Sequence, residues 1–135
     1  MKEKIVLPAS VDALYEAVLF VTGQMNALGL ERCEAVELAV EELFVNIACH
    51  AYPDGGGEVE ISCGLEGCDF VMTFADEGAP FDPTAYPKPD LEAPVAERPI
   101  GGLGIYLVSQ YMDSMSYQRE DGRNLLTVTK CVKER

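Results

Sequence analysis

Basic side chains are scarce in this chain: ten lysines and arginines stand against 23 aspartates and glutamates, a formal charge of −13 at pH 7. Such a surface repels phosphate backbones and anionic lipid headgroups at long range, which argues against nucleic acid and membrane surfaces as partners. A nucleotide is not excluded, because backbone N–H groups and a divalent cation neutralise phosphates without a basic surface. Histidine is scarcer still, with His50 alone, and the cysteines at 33, 49, 63, 68 and 131 form no C-x-x-C pair. A zinc site is therefore not expected. Cys63 and Cys68 flank the stretch CGLEGC, a turn across which a disulfide is conceivable; in a cytoplasmic chain the expectation is instead that the cysteines serve as small core hydrophobes. No run of about 18 apolar residues exists, and the opening MKEKIVLPAS lacks the apolar segment of a signal peptide. A soluble, cytoplasmic protein is expected. A length of 135 residues suffices for one hydrophobic core and is short for two, so a single domain over 1–135 is expected.

What is present sorts into elements. KEKIVLP reads as a first strand ending at Pro8. Ser10 offers an N-cap, Asp12 suits the first turn, and apolar residues at 11, 14, 15, 18 and 21, with Thr22 beside them, predict a helix to about Leu28, closed by Gly29. A second helix is predicted from about Glu31 to Ala51, where YPDGGG breaks it. EVEISCG and CDFVMTFAD alternate at period two and read as a hairpin. From Glu77 to Gly101 the periodicity stops and six of the eight prolines gather; a loop of that length inside a compact domain marks a functional lid or a disordered segment. GGLGIYLVSQYMD then predicts a helix opening on glycines, and SMSYQRED and RNLLTVTKCV two strands around the turn EDGR. This order lacks regular βαβ units. It predicts an α+β two-layer sandwich, a mostly antiparallel mixed sheet with helices on one face.

On a helical wheel the second helix divides three ways. Val36, Val40, Leu43, Phe44 and Ile47 form a core face, and Glu34, Glu37 and Glu41 a wet one. Glu42 and Asn46 fall about 40° apart on a third arc, shared with Ala35, Leu38, Ala39 and Cys49. The pair reads either as a rim acid with a neighbouring amide or as a metal site, in which the Asn46 carbonyl suits Mg²⁺ and Glu42 orients or deprotonates a nucleophile. Asp76 ends an apolar strand just before Glu77-Gly78; it reads either as an Asx turn or as an acceptor for an exocyclic amine. Gly101, Gly102 and Gly104 precede a helix and read either as a hinge or as a phosphate cradle. Neither a P-loop lysine nor the third glycine of a dinucleotide fingerprint accompanies them, since Leu107 stands at the latter position.

Taken together, EELFVNIACHAY, DEGAPFD and GGLGIYLVSQYMD resemble the N box and the two glycine boxes of the GHKL, or Bergerat-fold, ATPase domain shared by histidine kinases, type II topoisomerases and Hsp90 chaperones. The resemblance covers nearly the whole chain and is closest to the small stand-alone members, the anti-sigma factor serine kinases. It implies ATP and Mg²⁺ as cofactors, with Asn46 coordinating the ion and Glu42 acting as the base toward a partner's serine hydroxyl. It also implies that Asp76 reads the adenine amine, Gly78 makes room for the ring, and Gly102 and Gly104, with Gly101 and Leu103 around them, bring N–H groups to the phosphates. Ala79-Pro80 stands where many relatives have a second glycine. Asn124 lies near where larger relatives place a threonine, a candidate for adenine or phosphate contact, and Arg98 is a candidate for the γ-phosphate. With no helical phosphoacceptor domain before the core, a two-component histidine kinase is not expected.

Two functions stay open on this basis. One is a serine kinase that phosphorylates an anti-anti-sigma (STAS-domain) partner and sequesters a sigma factor. The other is a nucleotide-gated binding module with little or no catalysis. Glu42, for which a pure binder has no evident need, favours the first. By resemblance to small relatives, a homodimer is expected.

Overall fold

The computed structural model describes residues 2–85 and 102–134. Strand β1 (Glu3–Pro8) leads into a 3₁₀ turn (Val11–Ala13) and helix α1 (Leu14–Ala27). Helix α2 (Glu34–His50) follows, then β2 (Glu58–Glu66) and β3 (Asp69–Asp76). A second 3₁₀ turn (Pro83–Ala85), helix α3 (Gly102–Tyr111), β4 (Ser114–Glu120) and β5 (Arg123–Cys131) complete the described chain.

The strands lie in the order β1-β2-β3-β5-β4, and all four pairings are antiparallel. Two tight turns set the hairpin registers. At β2–β3, Gly67 takes a φ of 65°, and at β4–β5, Asp121 and Gly122 take φ of 52° and 77°, the left-handed pair that a two-residue turn with right-handed strand twist requires. Period-two alternation then decides the faces. Val59, Ile61 and Cys63 of β2, Phe70, Met72 and Phe74 of β3, and Leu126 and Val128 of β5 point into one core with Ala17, Val21 and Met25 of α1. Val36, Val40, Leu43, Phe44 and Ile47 of α2 and Ile105 and Val108 of α3 fill the rest. The predicted core face of α2 is thus buried residue for residue. The opposite sheet face carries a polar row in which Ser62, Thr73, Thr127 and Ser116 stand side by side on adjacent strands, with the Thr73 and Thr127 hydroxyls 3.0 Å apart. This is the expected α+β sandwich, with a sheet that is antiparallel throughout.

Ser10 caps the first turn as expected, its hydroxyl accepting from the Asp12 N–H at 3.3 Å, although that turn is 3₁₀ before it opens into α1. The end of α1 is a Schellman cap: Gly29, at φ 74°, donates to the Asn26 carbonyl, and Leu30 donates to that of Met25. Helix α2 begins at Glu34, three residues later than predicted. Leu30 bridges Glu134, and the Glu31 N–H donates to the Lys133 carbonyl at 2.8 Å, so the C-terminal tail holds the incoming segment extended. The cysteines also depart from expectation. Only Cys63 is fully buried, while Cys49, Cys68 and Cys131 are exposed. Cys63 faces the core, so it cannot meet Cys68, which lies against Cys131 instead.

Two glycines of the α1 region should respond to alanine with opposite signs. Gly29→Ala forces a side chain into the left-handed region and should lower stability by about 1 kcal/mol. Gly23→Ala, in the helix interior with open space around its Cβ position, should raise it by about 0.5–1 kcal/mol. Urea unfolding of both variants measures the difference.

Candidate functional site

Helix α2, the ends of β3 and β5, and the start of α3 converge on one end of the sandwich. Asp76 continues the inward series Phe70, Met72, Phe74 along β3, and Asn124 precedes Leu126 and Val128 on β5. The two are direct partners in the β3–β5 register. Alternation therefore drives a carboxylate and an amide into the end of the core, where they are only 5% and 4% exposed.

Burial at that level demands hydrogen bonds, and Asn124 makes them in both directions. Its Nδ2 donates to Asp76 Oδ1 and to the Ala79 carbonyl, both at 2.9 Å. Its Oδ1 accepts from the Tyr117 hydroxyl, from Arg119 Nη1 at 3.2 Å and from the Phe81 N–H at 3.4 Å. Arg119 Nη1 also donates to the Gly78 carbonyl at 2.8 Å. Asp76 Oδ1 further accepts from the Gly78 N–H at 2.9 Å. The Asx turn thus exists, and it uses only one carboxylate oxygen: the described residues give Oδ2 no partner.

The segment after Asp76 is docked on the end of α2. The Ala51 carbonyl accepts from the Ala79 N–H at 3.0 Å, and a Cβ on Gly78 would overlap that same carbonyl. The room made by Gly78 is taken by the backbone of the helix. Tyr52 adds a second tie, its hydroxyl accepting from the Glu77 N–H at 2.8 Å and donating to the Glu58 carbonyl at 2.7 Å.

The third arc of α2 is partly covered: Ala39 is buried, Glu42 and Asn46 are half-buried, and Cys49 at its end is exposed. Asn46 lines a cavity together with Asp76, Asn124, Leu43, Phe81 and Pro83. One turn earlier, Glu42 meets the start of α3: a Cβ on Gly104 would overlap its carboxylate. Neither Glu42 nor Asn46 has a side-chain hydrogen bond among the described residues, although both are half-buried. The cavity holds about 20 Å³, room for one water and not for a purine. Phe81 forms part of the cavity wall, stacked on His50 with ring centroids 6.0 Å apart, and Pro83 is buried beside it.

The structure thus gathers Asn46, Asp76 and Asn124 around one cavity, packs Gly78 against the Ala51 carbonyl instead, and sets Glu42 against Gly104. Gly102 and Leu103 lie in the first turn of α3. Gly101, Arg98 and most of the predicted lid, from residue 86 onward, lie outside the described residues. Tyr52, Tyr117 and Arg119 went unnoticed in the sequence. The last two alternate along β4 as any edge-strand residues do, and only the strand register, which pairs Arg119 directly with Asn124, marks them.

The fit of a divalent cation rests on the donor set. Mg²⁺ is held by few protein oxygens and completes its shell with water and phosphates. An unpartnered, half-buried amide carbonyl at Asn46, beside a carboxylate one turn away, is compatible with that demand.

An acid of α2 thus meets a glycine-started helix, and an amide one turn on shares a cavity with a buried carboxylate. The chain belongs to the histidine kinase-like ATPase domain family, whose model matches residues 7–130. Relatives include the serine-protein kinases RsbW of Bacillus cereus (strain G9842) and Bacillus thuringiensis (strain Al Hakam), each 31% identical over 96% of this chain and 86% of their own length. Among solved structures, the RsbU and RsbW domains of a Mycobacterium tuberculosis protein superpose with a TM-score of 0.70 at 14% identity; this chain is covered fully and spans 33% of that longer one. The Acinetobacter baumannii histidine kinase AdeS gives a TM-score of 0.52 at 14% identity, over 98% of this chain and 68% of its own. Both structures share the fold.

The two glycines at the site should differ in tolerance. Gly78→Ala meets a fixed backbone carbonyl and should lower stability by about 1–3 kcal/mol. Gly104→Ala meets the end of a side chain that can swing away, and should cost less than about 1 kcal/mol. Thermal melts of the two variants compare them.

Proposed function

We propose that this protein is an ATP-dependent serine kinase of the anti-sigma type, which phosphorylates an anti-anti-sigma STAS-domain partner and sequesters a sigma factor. The observation that carries the reading is the pair Glu42 and Asn46, half-buried and unpaired, beneath the start of α3 and beside the cavity that Asp76 closes. The naming of the RsbW relatives as serine-protein kinases supports it.

In this reading the free Oδ2 of Asp76 accepts a hydrogen bond from the adenine amine, while Oδ1 stays engaged with Gly78 and Asn124. Adenine entry requires Phe81 and Pro83 to move aside. Backbone N–H groups in the first turn of α3 face the phosphates, where the helix dipole favours negative charge. Asn46 would hold Mg²⁺ through its carbonyl oxygen, and a bound ion would neutralise phosphate charge. Glu42 accepts the proton of the partner's serine hydroxyl as its oxygen bonds the γ-phosphorus and ADP leaves. Phosphoryl transfer asks a protein mainly for positioning and charge stabilisation, which these groups supply.

The test is incubation with Mg-ATP and a STAS-domain protein from the same genome, with phosphoserine read by mass spectrometry. Glu42→Gln should slow transfer by about 100-fold or more and leave ATP affinity within about twofold. Asn46→Ala should weaken Mg-ATP binding by about tenfold. ATP binding without transfer to any STAS partner would replace the kinase with a nucleotide-gated binding module.

A further inference from the structure

We propose that Cys68 and Cys131 form a thiol–disulfide site at the end of the sheet remote from the nucleotide cavity. Asp69 pairs with Cys131 on the last rung of the β3–β5 ladder. Cys68 sits one residue earlier, in the tight β2–β3 turn opened by Gly67, and its carbonyl accepts from the Val132 N–H at 3.0 Å. Turn and ladder together bring the Sγ atoms of Cys68 and Cys131 to 2.9 Å, with both residues exposed. No other pair of cysteines is in thiol contact among the described residues. Cys63 is enclosed in the core, where burial pushes its thiol up to about 11.

The distance selects between the two chemistries open to such a pair. Two thiolates on one tetrahedral zinc ion, each with a Zn–S bond near 2.3 Å, lie about 3.8 Å apart. The observed sulfurs are nearly 1 Å closer than that, at 2.9 Å, and must close by only about 0.9 Å to reach a disulfide bond. Among the described residues, Asp69 is the one further His, Cys, Asp or Glu that gathers with both sulfurs. A disulfide needs no third group.

The oxidant is a low-molecular-weight disulfide. One cysteine loses its proton, and its thiolate attacks a sulfur of the oxidant, forming a mixed disulfide and releasing one small thiolate. The second cysteine thiolate then attacks the protein sulfur of that mixed disulfide and releases the second. Two protein thiols are oxidised, one small disulfide is reduced to two thiols, and two protons pass to solvent and the leaving groups. Carboxylates surround the pair: Asp69 Oδ1 lies 3.8 Å from Cys68 Sγ, and Asp113 Oδ2 accepts from the Cys131 N–H at 2.6 Å. The Cys68 thiol is held above its ordinary range, first by its hydrogen bond with Cys131 and then by the charge of that group. The exchange is therefore slow near neutrality and accelerates in mild alkali.

The bond would close a loop from 68 to 131 that contains Asp76, Asn124 and α3. It would leave the nucleotide cavity itself alone, since the Asp69–Cys131 and Asp76–Asn124 rungs are seven residues apart along β3, or about 24 Å.

The experiment oxidises the full chain with glutathione disulfide at pH 8, blocks free thiols with N-ethylmaleimide, and maps by mass spectrometry the peptides of a combined trypsin and glutamyl-endopeptidase digest, in which residues 67–77 carry Cys68 alone. The expected product is one Cys68–Cys131 linked peptide pair, with a mass loss of about 2 Da. A melting temperature higher by about 5 °C or more should accompany it. Cys131→Ser should stop at a glutathione adduct on Cys68, and Cys68→Ser at one on Cys131. ATP affinity should match that of the reduced protein. Full maleimide labelling of both residues, glutathione adducts on Cys68 or Cys131 that persist in the unsubstituted chain, a link from either to Cys49, or a link between two chains would each overturn the proposal.

Discussion

One buried amide organises the functional end of this protein. Asn124 is the first inward residue of β5 opposite the last inward residue of β3, and it hydrogen-bonds to Asp76, to the backbone of residues 79 and 81, and to Tyr117 and Arg119 of β4. Strand ends, connecting loop and edge strand therefore share one side chain. An unpaired carboxylate at that depth would cost several kcal/mol. Its engagement by Asn124 and the Gly78 N–H is what allows an acid to remain at the end of an apolar strand.

Helix α2 meets a second constraint, since three surroundings press on one cylinder. Its core face fills the sandwich, its glutamate-rich face remains in water, and its remaining arc lies under the start of α3. The two glycines that touch the helix serve different contacts. Gly78 admits the helix's own terminal carbonyl, and Gly104 admits the carboxylate of Glu42. A side chain at Gly78 would push the segment after β3 off the end of α2, and one at Gly104 would displace the Glu42 carboxylate.

The fold was legible wherever local periodicity and global packing agreed. The three-way division of α2, the glycine end of α1 and the hairpin turns all follow from spacing alone. The start of α2 was not legible, because a backbone pairing with residues 133 and 134 overrides a segment that reads as helix. At the site, Asp76, Asn46 and Glu42 were legible as out-of-place polar residues on patterned elements. Tyr117 and Arg119 were not, since a tyrosine and an arginine alternating along an edge strand look like any solvated face until the strand order places Asn124 opposite. The cysteine contact was equally hidden: CGLEGC shows which two thiols are close in sequence, and only the β3–β5 register shows which two are close in space.

The walling of the small cavity by Phe81 and Pro83 has a consequence for the proposed nucleotide site. A closed pocket binds its ligand only through the fraction of molecules that stand open; if roughly one in ten does, apparent affinity falls tenfold below the intrinsic value. Nucleotide affinity then becomes a gauge of how firmly one aromatic ring rests on His50. If ATP enters at this cavity as proposed, a protein that grips the outer side of residues 81–83 tunes its binding without touching the nucleotide, and by reciprocity ATP tunes that protein's grip.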